Sequence, residues 1–180
     1  MGDHALQKAP DGQNFTLKSG EKTPWFVDCR KLHLMPGGLL PVVNALWSEM
    51  HTVQFDCFGG PSLGADPIVG GLCYLAGITP NGRKMRAFLV RKEAKDYGVT
   101  GRVVGDVREG DRCVIIEDVV TTGGTTLSAV DAVESLGAKV VQIFAVVDRM
   151  AGGAERFAER GIPFDALLTL HDLLPITGCS

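Results

Sequence analysis

Val114-Ile115-Ile116-Glu117-Asp118-Val119-Val120-Thr121-Thr122-Gly123-Gly124-Thr125 is the stretch that decides the fold. An apolar, β-branched run enters from the Glu109-Gly110-Asp111 turn, which predicts a buried strand over residues 113–116. The strand runs into two adjacent carboxylates, then into a Thr/Gly turn that opens a helix expected over residues 125–136. Leu127, Val130 and Val133 form the apolar stripe of that helix, and Gly137 is its expected C-cap. Adjacent carboxylates repel each other and resist desolvation unless something polar or cationic meets them. Sugar hydroxyls or a hydrated cation would meet that need. The Thr121-Thr122-Gly123-Gly124-Thr125 turn allows close backbone approach, and its amides with the helix N-terminus make an anion nest. Carboxylates for hydroxyls beside a nest for phosphate describe a phosphorylated-sugar site. A plainer reading is an acidic strand end, a glycine turn and an N-cap, each common alone; their order favours the sugar. A nucleotide-hydrolysing P-loop is disfavoured, because no Gly-Lys-Ser/Thr triplet occurs, and the dinucleotide fingerprint is missing too.

Working outward, residues 140–147 are an uninterrupted apolar strand, as a parallel sheet covered on both faces requires. Residues 155–160 read as helix and 166–170 as a last strand. Upstream, 55–58 and 87–90 read as short buried strands, with a glycine-loosened helix over 62–76 between them. Residues 39–50 form a helix that tolerates Pro41 in its first turn, and the polar opening, residues 1–14, reads as loop. This alternation predicts an α/β fold with a mainly parallel central sheet and flanking helices. Nothing rich enough in Pro or Ser interrupts it as a linker, so residues 1–180 are expected to form a single domain.

The bulk properties fit. A chain of 180 residues, 45% hydrophobic, suits one core. Lys+Arg 18 against Asp+Glu 21 gives a net charge of -3 and no electrostatic case for nucleic acid. The cysteines are odd in number and scattered; Cys57, Cys73 and Cys113 read as buried thiols of a reducing cytosol. Neither a leader nor a membrane-spanning apolar run is visible, so a soluble cytoplasmic protein is expected.

The acidic pair and its loop resemble the signature of type I phosphoribosyltransferases, which bind 5-phosphoribosyl 1-diphosphate. The resemblance implies that Glu117 and Asp118 hold the ribose 2- and 3-hydroxyls. Thr121, Thr122, Gly123, Gly124 and Thr125 would hold the 5-phosphate, with Val119 and Val120 in the same site. Three further segments are similar to orotate phosphoribosyltransferases. Phe15-Thr16-Leu17-Lys18-Ser19-Gly20, followed by Thr23-Pro24-Trp25-Phe26-Val27-Asp28, resembles their amino-terminal signature, and residues 1–38 would then be a small N-terminal hood. Arg91-Lys92-Glu93-Ala94-Lys95-Asp96-Tyr97-Gly98 resembles their catalytic loop. Val146-Val147-Asp148-Arg149 ends where the family places an orotate-binding arginine.

The chemistry of these residues agrees with the resemblance. Orotate is a planar base with a carboxylate; Arg149 offers a fork, Lys18 a charge, and Trp25 with Phe26 a flat wall. Arg149 could instead sit in a surface salt bridge, and the aromatics could simply pack in the core. The charged stretch 91–101 would ordinarily be a solvated loop. Between two strands, with Gly98 and Gly101 as hinges, it reads as a lid that closes lysines over a diphosphate. Lys95 is the expected catalytic group, assisted by Arg91 and Lys92, and Tyr97 is counted among the substrate-binding residues. Two positions depart from the pattern. Tyr97 stands where many members carry histidine. Pro61-Ser62-Leu63-Gly64-Ala65-Asp66-Pro67 stands where many carry Tyr-Lys before a Gly-Ile-Pro turn, although it resembles a known branch of the family.

The resemblance implies transfer of phosphoribose to orotate. It also implies Mg²⁺ held mainly by the donor and water, with no metal ligands from the protein, and a homodimer whose lids serve the neighbouring site. Transfer to another base, or a non-catalytic regulator that binds the donor, are the alternatives.

Overall fold

The computed structural model describes residues 5–16, 20, 22–79, 85–95 and 101–174. Lys18 and Tyr97 lie outside the described residues, as does the side chain of Lys95.

Two short antiparallel ribbons open the chain. Strand β1 (Leu6–Lys8) pairs with β4 (Trp25–Val27), and β2 (Phe15–Thr16) pairs with β3 (Lys22–Thr23). The opening segment expected as loop therefore contains a strand. Its three residues are too few to show a period, and they pair across a separation no local pattern reveals. Asp28 caps α1 (Cys29–His33), and α2 (Leu39–Met50) follows over the predicted span.

The remaining strands are β5 (Cys57–Pro61), β6 (Arg86–Lys95), β7 (Gly101–Gly105), β8 (Arg112–Val120), β9 (Lys139–Asp148) and β10 (Phe164–Thr169). They form one sheet in the order β10-β9-β8-β5-β6-β7, parallel except for the β6–β7 pair. Its helices are α3 (Asp66–Ile78), α4 (Gly124–Glu134), α5 (Gly153–Glu159) and α6 (Leu170–Leu173). Alternate side chains of β8 enter different cores. Val114 and Ile116 join Phe58, Phe144 and Val146 beneath α2 and α3. Cys113 and Ile115 join Phe88, Ile143 and the Val130 and Val133 face of α4. Period-two geometry sends successive residues to opposite faces, and both faces are covered, so every position in the run is apolar.

Several boundaries differ from expectation. Strand β5 starts at Cys57, two residues late, and runs on through Gly59 and Gly60 to Pro61. A Cβ on Gly59 would overlap the Phe88 carbonyl, and one on Gly60 the Ile116 carbonyl, so these glycines permit close packing. Helix α3 starts at Asp66, with Pro67 in its first turn. Strand β6 continues as far as Lys95, through the first part of the charged stretch 91–101 expected to be loop; residues 96–100 lie outside the described residues. It pairs with β7, and Arg102 donates from Nε to the Arg91 carbonyl (3.0 Å) and from Nη1 to that of Ser128 (3.2 Å). A sheet-edge hairpin faces solvent, so its charged side chains cost little. Strand β8 runs past Ile116 to Val120, because β9 pairs with it as far as Asp148.

Gly137 makes the expected left-handed turn after α4. Cys73 is exposed, not buried; it lies on the outer face of α3. Cys57 and Cys113 are register partners inside the sheet, with their sulfurs 3.0 Å apart. Among the described residues, no helix is long and apolar enough to cross a membrane.

Candidate active site

The chain leaves β5 through α3 to reach β6 on one side, then returns on the other side as β8. The carboxyl ends of β5 and β8 thus flank a topological switch point, where open α/β sheets leave a crevice. Glu117 and Asp118 lie at this end of β8. Glu117 is 5% exposed, and its Oε2 accepts a hydrogen bond from the Thr126 hydroxyl at 2.9 Å. Burial, and then the charge of Asp118, push the Glu117 carboxyl well above the ordinary range. Asp118 is less buried, and its Oδ1 accepts from the amide of Val119 at 2.8 Å. A side chain at Gly64 would overlap the Asp118 carboxylate, so the segment that follows β5 passes over Asp118 with bare backbone.

The turn into α4 is equally constrained. Gly123 is left-handed (φ 70°), and a Cβ there would stand 2.7 Å from the Phe157 ring. Arg156 donates from Nη1 to the Thr122 carbonyl at 2.7 Å, tying the turn to α5. The first amides of α4 lack intrahelical acceptors, as at any helix N-terminus, and surround the turn with donors.

Arg149 follows β9 directly and is 9% exposed. Its amide donates to the Val120 carbonyl at 2.9 Å, and its Nη2 to the Trp25 carbonyl at 3.3 Å. This bond joins the hood ribbon to the sheet.

A cavity of about 350 Å³ collects most of the predicted residues: Phe26, Glu117, Val119, Val120, the whole of 121–125 and Arg149. A second, of about 210 Å³, contains Asp28, Arg30, Ser62, Gly64 and Asp118, and shares Glu117, Val119 and Thr125 with the first. A third, of about 300 Å³, brings Arg91 and Lys92 together with Arg102, Ser62 and Thr125. Trp25 is placed otherwise: it does not line the main cavity, its ring packs against the core, and its carbonyl meets Arg149.

Sequence reading missed Thr16 and Val27 in the cavity wall, Thr126 beside Glu117, and the Asp28–Arg30 pair. Thr126 was the most readily inferred of these, being a hydroxyl on the otherwise apolar inner face of α4. Among the described residues, no three His, Cys, Asp or Glu side chains cluster as a metal cage. The oxygens of Asp118 and Ser62 suit a hard divalent ion that brings most of its ligands with it.

A profile of the phosphoribosyl transferase domain family matches residues 85–159. The orotate phosphoribosyltransferase of Rhodopirellula baltica is 40% identical, the match covering 96% of this chain and 89% of that one. That of Aquifex aeolicus is 36% identical, over 93% of this chain and 90% of the relative. Among solved structures, Mycobacterium tuberculosis orotate phosphoribosyltransferase in complex with 5-phospho-alpha-D-ribosyl 1-diphosphate superposes with a TM-score of 0.70. It is 33% identical, over 82% of each chain. With the sheet order, the switch-point crevice and the acidic strand leading into a glycine turn, these matches show that the chain belongs to the orotate phosphoribosyltransferase family and has the type I phosphoribosyltransferase fold.

Proposed function

We propose that this enzyme transfers 5-phosphoribose from 5-phosphoribosyl 1-diphosphate to N1 of orotate, releasing diphosphate and orotidine 5-phosphate for pyrimidine synthesis in the cytoplasm. The observation that carries this reading is the shared main cavity. The phosphate turn 121–125, the acidic Glu117, Phe26 and Arg149 all line one hollow. A phosphorylated sugar and a flat, negatively charged base would lie there end to end. The relative crystallised with the phosphoribosyl donor supports the donor half of the proposal.

Each residue then has a task. The turn amides and Thr hydroxyls hold the 5-phosphate, and Glu117 and Asp118 orient the ribose hydroxyls. Arg149 binds the orotate carboxylate or carbonyl edge, against Phe26, and Lys18 would add a positive charge for the same base. As the C1–O bond breaks, the ribose gains oxocarbenium character and negative charge grows on the departing diphosphate. Arg91, Lys92 and Lys95 stabilise that charge, while Tyr97 and the hood help to exclude water. Mg²⁺ entering with the donor would supply positive charge to the diphosphate, held mainly by the donor and water, and Asp118 would be the protein group to meet its bound water. Orotate itself attacks, so no protein nucleophile is needed. The working unit is a homodimer. Leu40, Tyr74 and Ile78 are exposed apolar residues around one groove of α2 and α3, which supports burial against a second copy.

The test follows loss of orotate ultraviolet absorbance with donor and Mg²⁺ present, alongside a panel of purine and pyrimidine bases. Orotate is expected to be consumed in preference to the panel. Arg149→Leu is expected to weaken orotate binding about tenfold or more and leave the donor within about twofold. Turnover with another base instead would reassign the acceptor. Donor binding with no turnover on any base would make the chain a regulator.

A further inference from the structure

We propose that Arg30 binds the diphosphate end of the donor, supplying from α1 the cation that the Leu63-Gly64 segment lacks. The inference rests on the reaction proposed above and assigns a new residue to it.

The need for a cation is electrostatic. Asp28, Glu117 and Asp118 all line the second cavity, and an anion entering there meets their carboxylates. Gly64 has no side chain to supply the balancing charge, and the Asp118 carboxylate occupies the space where its Cβ would stand. Ser62 offers a hydroxyl but no charge. Arg30 is the one cationic side chain among the described residues that line this cavity.

Its guanidinium is already aimed. Nε donates to Asp28 Oδ1 at 2.8 Å and Nη2 to Asp28 Oδ2 at 3.1 Å, a two-pronged hold that fixes the plane of the group. The Asp28 side chain is 15% exposed and that of Arg30 49%, so the anchor is largely buried and the cation remains accessible. The Asp28 carboxylate also accepts from the Arg30 amide at 3.3 Å, so the cap of α1 and the orientation of Arg30 are one arrangement. A guanidinium has five N–H donors. Nη1 makes no hydrogen bond among the described residues, and its edge is available to a phosphate oxygen. Holding the fork in place before the ligand arrives reduces the ordering cost of binding.

The experiment compares the parent with Arg30→Gln, Arg30→Lys and Asp28→Asn. Calorimetry uses inorganic diphosphate and the phosphoribosyl donor, each with Mg²⁺, and steady-state kinetics vary donor and orotate separately. Arg30→Gln is expected to weaken diphosphate and donor by about tenfold or more, the loss of one charge-assisted contact, and to raise the donor KM similarly. The orotate KM should stay within about twofold, and the thermal midpoint should hold because the side chain is half exposed. Arg30→Lys should recover part of the loss. Asp28→Asn should weaken the donor less, and the double variant should be no worse than Arg30→Gln, since Asp28 acts through Arg30.

Unchanged donor and diphosphate affinity in Arg30→Gln overturns the inference while leaving the proposed reaction intact. So does equal weakening of orotate and donor with a lowered melting point, which marks a structural ion pair. A parent that binds donor and diphosphate through Arg30 but consumes no orotate refutes the reaction and upholds Arg30. A parent that binds neither refutes both.

Discussion

Glu117 is the residue at which fold and chemistry conflict most. From the sequence, Glu117 and Asp118 read as an equivalent pair at a strand end; the structure gives them different surroundings. Glu117 points into the sheet–helix interior against Thr126, whereas Asp118 lies under Gly64 at the second cavity. Strand alternation makes this difference unavoidable, since neighbouring residues face opposite ways. Burial raises the Glu117 pKa first, and the charge of Asp118 adds to it. The folded protein therefore binds this proton more tightly than the unfolded chain, whose carboxyl titrates near the ordinary value of 4.5. The contribution of Glu117 to stability is full below that pH and falls as pH rises from there toward the folded-state value, by at most about 1.4 kcal/mol per pH unit. Glu117→Gln lacks this penalty. Its melting point, relative to the parent, should rise as pH increases above the unfolded-state value in ligand-free protein. A difference that stays flat with pH would mean the carboxyl is ionised at little cost, with its solvation coming from elsewhere.

At the level of elements, the turn from β8 into α4 shows how glycine identity carries position-specific information. Gly123→Ala combines a left-handed backbone with overlap on Phe157, and should destabilise by about 2 kcal/mol or more while weakening donor binding. Gly124→Ala meets nothing nearer than Arg156 Nη1 at 3.7 Å, and should cost well under half as much. Urea denaturation midpoints of the two variants check this; equal losses would mean that the turn relaxes. The sequence shows two glycines there and gives no hint which is strained. Legibility elsewhere followed the same physics. Helix α2 and strands β8 and β9 were visible because long apolar runs have few alternatives. The end of β8 was hidden because Glu117 and Asp118 look like a boundary, yet pairing with β9 continues past them. The β6–β7 hairpin was hidden because edge-strand pairing leaves charged side chains in solvent, as a loop does. The main cavity was largely legible, since its phosphate turn is contiguous in sequence. Arg30 was not, because only folding carries α1 to the end of β5.

The whole molecule is a twisted sheet with cores on both faces, and its site lies over the central strands. Strand β8 has β9 on one side and β5 on the other, and residues 113–116 are fully buried. The phosphate turn, the hood ribbons and α1 sit at its rim. One consequence concerns solvent protons. The amides of β8 that form the floor of the site can exchange with deuterium only when the entire sheet opens, whereas amides of the rim exchange through small local openings. Residues 114–117 should therefore exchange at the rate of global unfolding, and residues 122–124 orders of magnitude faster. Adding the phosphoribosyl donor should slow the rim strongly. The floor should slow only as far as the ligand raises global stability. Mass-resolved deuterium uptake would show it, and β8 exchanging as fast as the edge strand β7 would contradict it. Viewed on this clock, the pocket is a fast-breathing collar fixed to a base that opens last.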